Sequence, residues 1–492
     1  MWKTVLYGTV LAVALWLVPA AWAETPTTRP TSAPAVSLQR IAALVAQLGH
    51  ESAAKREQAS RELMKIGVPA LPELRKALDS GDIEIVARAT TLVKAIRQAT
   101  IGESLLWKMK LPDEGNNSWP VLTDDLVIFH GGDGNVHAVT RADGTRKWVE
   151  KTDDVVRHWP KVALADDKLI CLGLMDISPT VALDAASGKV LWRNKDPYDE
   201  TIARDNAIVS ITAERDEILR LSPEDGTVVW RVKTSELAGS PHARAHSPQI
   251  AKDVCLIDTW RSQSTQEKMP DRLVAVELAT GKKLWSIDGY SSIDSIHDGR
   301  VYMTRKAEEE KREYTFHVYD LKTGAEQETR LPSYAFGGYD QVVGEYLLSN
   351  PIWDSSAVVA YDVASGKRLW RYAPRGVEKM LTNQKMLHYT SKHGLPIAVH
   401  DGAALLIVDD GLLGVDIKTG TPRWKYSMKC TNLYGLVVRD GVAYFMDDGY
   451  PVVERSIFDD RRPRGPRYLY ALDLTKASLL GMPENESVEA AE

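Results

Sequence analysis

Few residues in this chain are of a type and spacing that could do chemistry, and most of those have a plainer use. His242-Ala-Arg-Ala-His246 has the four-residue step of a metal-binding pair on a helix, but it stands in a strand-rich stretch and is read as ordinary loop histidines. Cys171, Cys255 and Cys430 are the only cysteines, and they lie far apart. Ile170-Cys171-Leu172 and Val254-Cys255-Leu256 look like buried strand positions, so buried thiols are expected, with at most one internal disulfide. No nucleophile motif or phosphate-cradling loop stands out, and Gly131-Gly132-Asp133-Gly134 fits a hairpin turn. Arg461-Arg462-Pro463-Arg464-Gly465-Pro466-Arg467, preceded by Asp459-Asp460, is a local basic cluster suited to an acidic partner or polyanion, or else a solvated loop. No catalytic, cofactor-binding or metal-ligating residue is assigned.

The remaining candidates are aspartates and tryptophans, and their regular spacing explains them differently. One unit recurs, clearest as Leu183-Asp184-Ala185-Ala186-Ser187-Gly188-Lys189-Val190-Leu191-Trp192 and again from Asp362 through Gly366 to Trp370. Its turn glycines fall at 144, 188, 226, 281, 324, 366 and 420, steps of 38 to 55 residues, the length of a four-stranded sheet. Glycine tolerates positive φ in a hairpin, and Asp184, Asp320, Asp362 and Asp416, four residues earlier, can accept the turn's N–H groups. Thr140, Ser222 and Glu277 offer other oxygens at the same place. Four residues after the glycine stands Trp148, Trp192, Trp230, Trp285, Trp370 or Trp424. Such a tryptophan buries a large apolar surface between neighbouring sheets, and its indole N–H needs a regular partner.

Two departures are informative. After Gly324 the expected tryptophan is Glu328, which predicts a weaker or differently filled interface. The last half-unit, Tyr468-Leu469-Tyr470-Ala471-Leu472-Asp473-Leu474, lacks its glycine and tryptophan, while Ser104-Leu105-Leu106-Trp107 has an outer-strand pattern with no turn before it. The N-terminal strand is therefore expected to complete the last sheet and close a ring. The fold class is mainly β: an eight-bladed β-propeller of four-stranded antiparallel sheets, preceded by a small all-α HEAT-like segment.

The Asp-x-x-Thr/Ser-Gly-x-x-x-Trp unit resembles the repeat of the pyrroloquinoline-quinone (PQQ)-type propellers over about residues 101–474. That family includes quinoprotein alcohol and glucose dehydrogenases and the BamB propeller of outer-membrane barrel assembly. The Gly-His and Trp-Asp pairs of a WD40 propeller are absent. A quinoprotein dehydrogenase of this family would be expected to carry adjacent cysteines, a calcium held by Glu, Asn and Asp, and an aspartate base; none is assignable here by a local motif. No cofactor is expected, with PQQ and calcium as the alternative.

The chain ends carry their own signals. Lys3, the apolar run Val5 to Val18 and Ala21-Trp22-Ala23 read as an export signal over 1–23, with a retained membrane anchor as the alternative. No cysteine follows the run, so no lipid anchor is expected. Residues 24–36 are a Thr/Pro/Ser-rich linker. Residues 37–98 repeat at an offset of thirty, pairing Ile41 with Leu71, Leu44 with Leu74, Leu48 with Leu78, Ala59 with Ala89, Leu63 with Val93 and Ile66 with Ile96, as four short helices resembling two HEAT-like repeats. The propeller is expected over 101–476 and an acidic flexible tail over 477–492. With 61 Lys and Arg against 67 Asp and Glu, the chain has no global basic field, which argues against nucleic acid as a partner.

Long inserts fall at one kind of place. Arg261 to Arg272 and Tyr450 to Arg467 lie between second and third strands, Ala307 to Glu313 is a shorter charged case, and Pro374 to Gly394 joins two blades. Strand alternation puts all of them on the face opposite the Asp-x-x-Thr-Gly turns. That face is the expected interaction surface, with Trp260, Arg261, Tyr389, Lys392, Tyr450, Arg461, Arg462, Arg464 and Arg467 as candidates. The expectation is a noncatalytic periplasmic or extracytoplasmic scaffold binding other proteins, with envelope assembly suggested by the resemblance. The alternative is a PQQ-dependent dehydrogenase or carbohydrate-handling enzyme with a central-channel site.

Overall fold

The computed structural model describes residues 37–112, 117–152, 161–172, 178–261, 271–306, 314–332, 341–349, 357–372, 396–408, 411–428, 433–447 and 465–482. The expected export signal and linker lie outside these residues. The chain divides into two compact units, with the boundary between Val93 and Lys94.

The first unit is helical, with helices Leu38–Ala46, Ala53–Ile66 and Leu71–Lys76 and the start of Ile83–Ser104. Ser37 caps the first helix, its Oγ accepting from the Arg40 N–H at 3.3 Å. Gly67 ends the second at φ 69°, and Asp82 opens the fourth by accepting the Glu84 N–H at 2.8 Å. The repeated apolar positions point inward: Ile41, Leu44, Leu48, Ala59, Leu63, Leu71, Leu74, Ala89 and Val93 are buried, while Ile66 and Leu78 are half-buried. The fourth helix is not short. It runs 22 residues to Ser104, because no glycine or proline interrupts 83–101, and strand begins at once with Leu105. Among the described residues no helix is long and apolar enough to cross a membrane.

In the second unit the described residues form eight four-stranded antiparallel blades. Blade 1 comprises Val121–Leu122, Leu126–His130, Asn135–Thr140 and Arg146–Lys151. Blade 4 comprises Ala243–Ala251, Val254–Arg261, Arg272–Glu277 and Lys283–Asp288. Blades 5, 6 and 7 follow the same order, ending in Glu326–Gln327, Arg368–Tyr372 and Pro422–Ser427. Blades 2 and 3 are continuous, since the single strand Val190–Arg204 is the outer strand of one and the inner strand of the next, giving a seven-stranded sheet.

Blade 8 is composite, as expected. Its first three strands are Leu433–Arg439, Val442–Asp447 and Tyr468–Asp473, and its outer strand is Leu105–Lys110, with Trp107 opposite Ala471 and Met109 opposite Leu469. Among the described residues an apolar cluster fills each of the eight interfaces, including the closing one, where Val127 and Phe129 of blade 1 meet Tyr444 and Leu469 of blade 8.

Middle strands such as Leu126–His130 are buried throughout, whereas outer strands such as Arg146–Lys151 alternate between exposed and half-buried. A middle strand has a neighbouring blade on both faces; an outer strand meets solvent. Blade 7 is the exception, its outer strand mostly buried. Tyr426 Oη donates to the Ile101 carbonyl at 3.5 Å, the Lys425 N–H to that of Gly481 at 3.2 Å, and Arg97 to those of Leu480 and Met482 at 2.8 and 2.9 Å. Here the expectation of a tail from 477 is corrected: Leu474–Ser478 is a helix, and Ala477 and Leu480 are fully buried. Their apolar side chains are drawn into the interface of blades 7 and 8. Residues 483–492 lie outside the described residues.

Candidate functional site

The repeat residues form a lock between successive blades. In each turn the glycine N–H donates to the carbonyl four residues back, as from Gly188 to Asp184 at 2.8 Å. Asp184 Oδ1 also accepts the Ser187 N–H at 2.7 Å. Hydrogen bonds within the turns hold two sister carboxyls below their ordinary value, that of Asp320 chiefly through the Thr323 N–H and that of Asp362 chiefly through the Ser365 hydroxyl. Six outer-strand tryptophans then reach forward to the next blade, lay their rings over that blade's turn glycine, and donate their indole N–H groups to the carbonyl one residue after the aspartate position. The bonds run from Trp107 to Arg141, Trp148 to Ala185, Trp192 to Pro223, Trp230 to Leu278, Trp285 to Leu321 and Trp370 to Ile417, at 2.8 to 3.3 Å. A Cβ on Gly188, Gly226, Gly281 or Gly420 would meet the ring of the preceding blade's tryptophan. The aspartates and tryptophans are thereby committed to architecture.

At the interface after Glu328 the filling differs, as the sequence predicts. Glu328 is exposed, and blade 5 ends in the two-residue strand Glu326–Gln327. The chain crosses instead to Gly366, where a Cβ would stand 1.9 Å from the Arg330 carbonyl oxygen, so main chain occupies the place of an indole. Tyr302, Phe316 and Leu331 supply the apolar contact there. Trp424 faces a blade without the turn and packs in a cluster with Leu474, Ala477 and Leu480.

Antiparallel order divides the connections between two faces. First-to-second hairpins and the Asp-x-x-Thr-Gly turns open on the lock face, where ion pairs join a hairpin to the next blade's turn: Asp440 to Arg141 at 2.8 Å, Lys168 to Glu224 at 3.1 Å and Asp253 to Lys322 at 3.5 Å. Second-to-third and blade-to-blade connections open on the other. Of the candidates for that loop face, Tyr389, Lys392, Tyr450, Arg461, Arg462 and Arg464 lie outside the described residues, as does Cys430. Trp260 is half-buried near the end of Val254–Arg261, opposite Arg244, and Arg261 closes that strand. Arg467 is corrected: it is only 3% exposed, its guanidinium donating to the Pro112 carbonyl, because the closing strand covers it. An aromatic absent from the candidates, Trp119, is 67% exposed at the loop-face end of blade 1's inner strand and sits against Gly435 of blade 8. Nothing in its local sequence marks it, since it falls outside the repeat.

Inner strands line the central channel. On the wall between blades 3 and 4, two successive acids of Val190–Arg204 hold two strained turns. Asp199 pairs with Arg215 at 2.8 Å, and Glu200 pairs with His246 at 3.1 Å. Arg215 and Ser247 have φ of 59° and 44°. The strand pairing slips between His246 and Gln249, a bulge that lets Ser247 Oγ approach His246 Nδ1 to 2.6 Å while the Ser247 N–H donates to Glu200 Oε2 at 2.6 Å. His246 is thus a strand residue held against Glu200 and not a loop histidine. Glu200 is 46 positions away, with no local signal to link it.

Among the described residues no three His, Cys, Asp or Glu side chains converge as a metal set, and the repeat tryptophans are used between blades. Cys171 and Cys255 are free, buried on blades 2 and 4, and burial pushes both thiols up to about 12.

Fold and lock together define a closed eight-bladed propeller of quinoprotein-type repeats. A family model described as outer membrane protein assembly factor BamB matches residues 57–175, 176–288 and 354–461, and the chain belongs to that family. No curated protein matches the chain by sequence. Its fold is similar to that of a europium-containing methanol dehydrogenase, with a TM-score of 0.50 and 14% identity over 76% of this chain and 94% of that one. BamB from Moraxella catarrhalis aligns with a TM-score of 0.47 and 14% identity, over 74% and 98%. A quinohemoprotein alcohol dehydrogenase from Comamonas testosteroni aligns at 0.49 and 15%, over 79% and 78%. At such identities the likeness concerns fold alone.

Proposed function

We propose that this chain works outside the cytoplasm as a scaffold whose loop-bearing face binds other proteins, envelope proteins first among them, with no chemistry at that face. One observation carries the reading: the repeat's turn residues are consumed by the lock on one face, while the long inserts open on the other. Exposed Trp119 adds a rigid aromatic of the kind that anchors protein interfaces. The export-signal pattern expected at 1–23 and the name of the matched family both support a place in the envelope.

The test is crosslinking of the full chain in its native envelope. Profiles are compared for the wild type, a variant with residues 262–270 and 448–464 replaced by short Gly/Ser linkers, and Trp119→Ala. Loss of specific adducts in the loop variant, with thermal unfolding unchanged, is the expected result. Identical profiles for all three chains overturn the reading.

A further inference from the structure

We propose that Ser247 on the channel wall is a nucleophile for small activated acyl esters, with His246 as its base and Glu200 positioning that base. The inference does not rest on the scaffold reading, because it involves no residue of the loop inserts; either can fail while the other stands.

In neutral His246 the ring proton belongs on Nε2, which lies 3.1 Å from the acceptor-only Glu200 carboxylate. Neutral Nδ1 is then an acceptor, and the Ser247 hydroxyl at 2.6 Å donates to it. Nucleophile, base and orienting carboxylate thus stand in hydrogen-bond sequence, the arrangement that activates a serine, with the two ring nitrogens in exchanged roles. The second Glu200 oxygen takes the backbone N–H of Ser247 itself at 2.6 Å, so one carboxylate holds both the ring and the nucleophile's main chain. Ser247 is a non-glycine residue at φ 44° in a bulge, a conformation of the kind that accumulates at working sites and re-aims a side chain. The His246 side chain is 39% exposed, open to a small molecule, whereas Glu200 is mostly covered. The other charged neighbour on that strand, Asp199, is engaged by Arg215.

The reaction balances with water as the only co-reactant. Ser247 Oγ bonds to the ester carbonyl carbon as its proton passes to His246 Nδ1. The carbon–oxygen bond to the alcohol breaks, and the alcohol leaves with that proton. Water, deprotonated by the same nitrogen, attacks the acyl-serine; the carboxylic acid departs and Ser247 regains its hydrogen.

A fluorophosphonate probe tests the first step without requiring turnover, since serine displaces fluoride and keeps the phosphonyl group. The full chain is labelled and the adduct mapped by peptide mass spectrometry. Modification at Ser247 is expected, absent in Ser247→Ala and slowed about 100-fold in His246→Gln. In Glu200→Gln labelling at Ser247 slows, and Glu200→Asp recovers part of the rate, because a carboxylate is needed to hold the His246 ring. A merely structural Glu200 would show no such difference between Gln and Asp. Thermal unfolding checks that each variant folds. If one does not, the wild type decides: its adduct must map to Ser247 and to no other serine. Absence of a Ser247 adduct, labelling spread over surface serines, or a rate indifferent to His246→Gln overturns the proposal.

Discussion

Trp107 covers Gly144 so closely that a Cβ on the glycine would stand 2.7 Å from the Cδ2 and Cε3 atoms of the indole. The two residues come from opposite sides of the ring closure, blade 8 and blade 1, and the same tryptophan donates to the Arg141 carbonyl at 2.9 Å. The closing interface therefore uses the same lock as the internal ones. Its strength depends on a strand supplied from the N-terminal side of the propeller.

Gly144→Ala is expected to destabilise the propeller by about 2–4 kcal/mol, combining a methyl forced against the ring with φ of 71°. Gly344→Ala isolates the backbone part: φ is 57°, nothing lies within 4 Å, and about 1 kcal/mol is expected. Denaturant titration of both variants measures the difference. Equal losses would mean that the close approach to the tryptophan carries no weight.

Glu328→Trp restores the repeat on paper but is expected to change stability by no more than about 0.5 kcal/mol, because the Arg330 main chain already lies on Gly366. Trp370→Ala, at a fully buried indole, is expected to cost about 3–5 kcal/mol. Thermal unfolding of the two proteins checks the contrast. A clear gain from Glu328→Trp would show that main chain is a poor substitute.

His130 is fully buried, its Nδ1 2.9 Å from the Gly131 carbonyl and its Nε2 3.0 Å from Thr152 Oγ1. Burial pulls its imidazole below the ordinary value of 6.5, against the opposing pull of the Gly131 carbonyl. Below pH 6.5 the unfolded chain takes up a proton that the folded chain refuses, so this residue's contribution to stability is full above that pH and falls as pH drops toward the lowered folded value. Chemical denaturation from pH 7.5 to 5 reads the slope, which His130→Asn should reduce. An unchanged slope would place the acid sensitivity elsewhere.

Much of the ring was legible in the chain because a propeller lock is local in sequence. Asp184, Gly188 and Trp192 lie within nine residues, and turn geometry and strand alternation act over that distance. Even the closure was readable, since an outer-strand pattern at Trp107 without a turn complements an incomplete last unit at Tyr468–Asp473. The continuous strand Val190–Arg204 and the helix running to Ser104 were less so, because boundaries depend on what packs beyond them.

By itself the sequence determined the repeat, the odd interface at Glu328 and the face on which the inserts emerge, while the structure settled the count at eight blades. Only the tertiary structure decided that Arg467 and Leu480 are buried, that Trp119 is exposed, and that Glu200 meets His246 and Ser247 across two blades. The physical reason is sequence distance: a turn or an alternating strand is written in adjacent residues, whereas a contact between inner strands depends on where the ring sets whole sheets side by side.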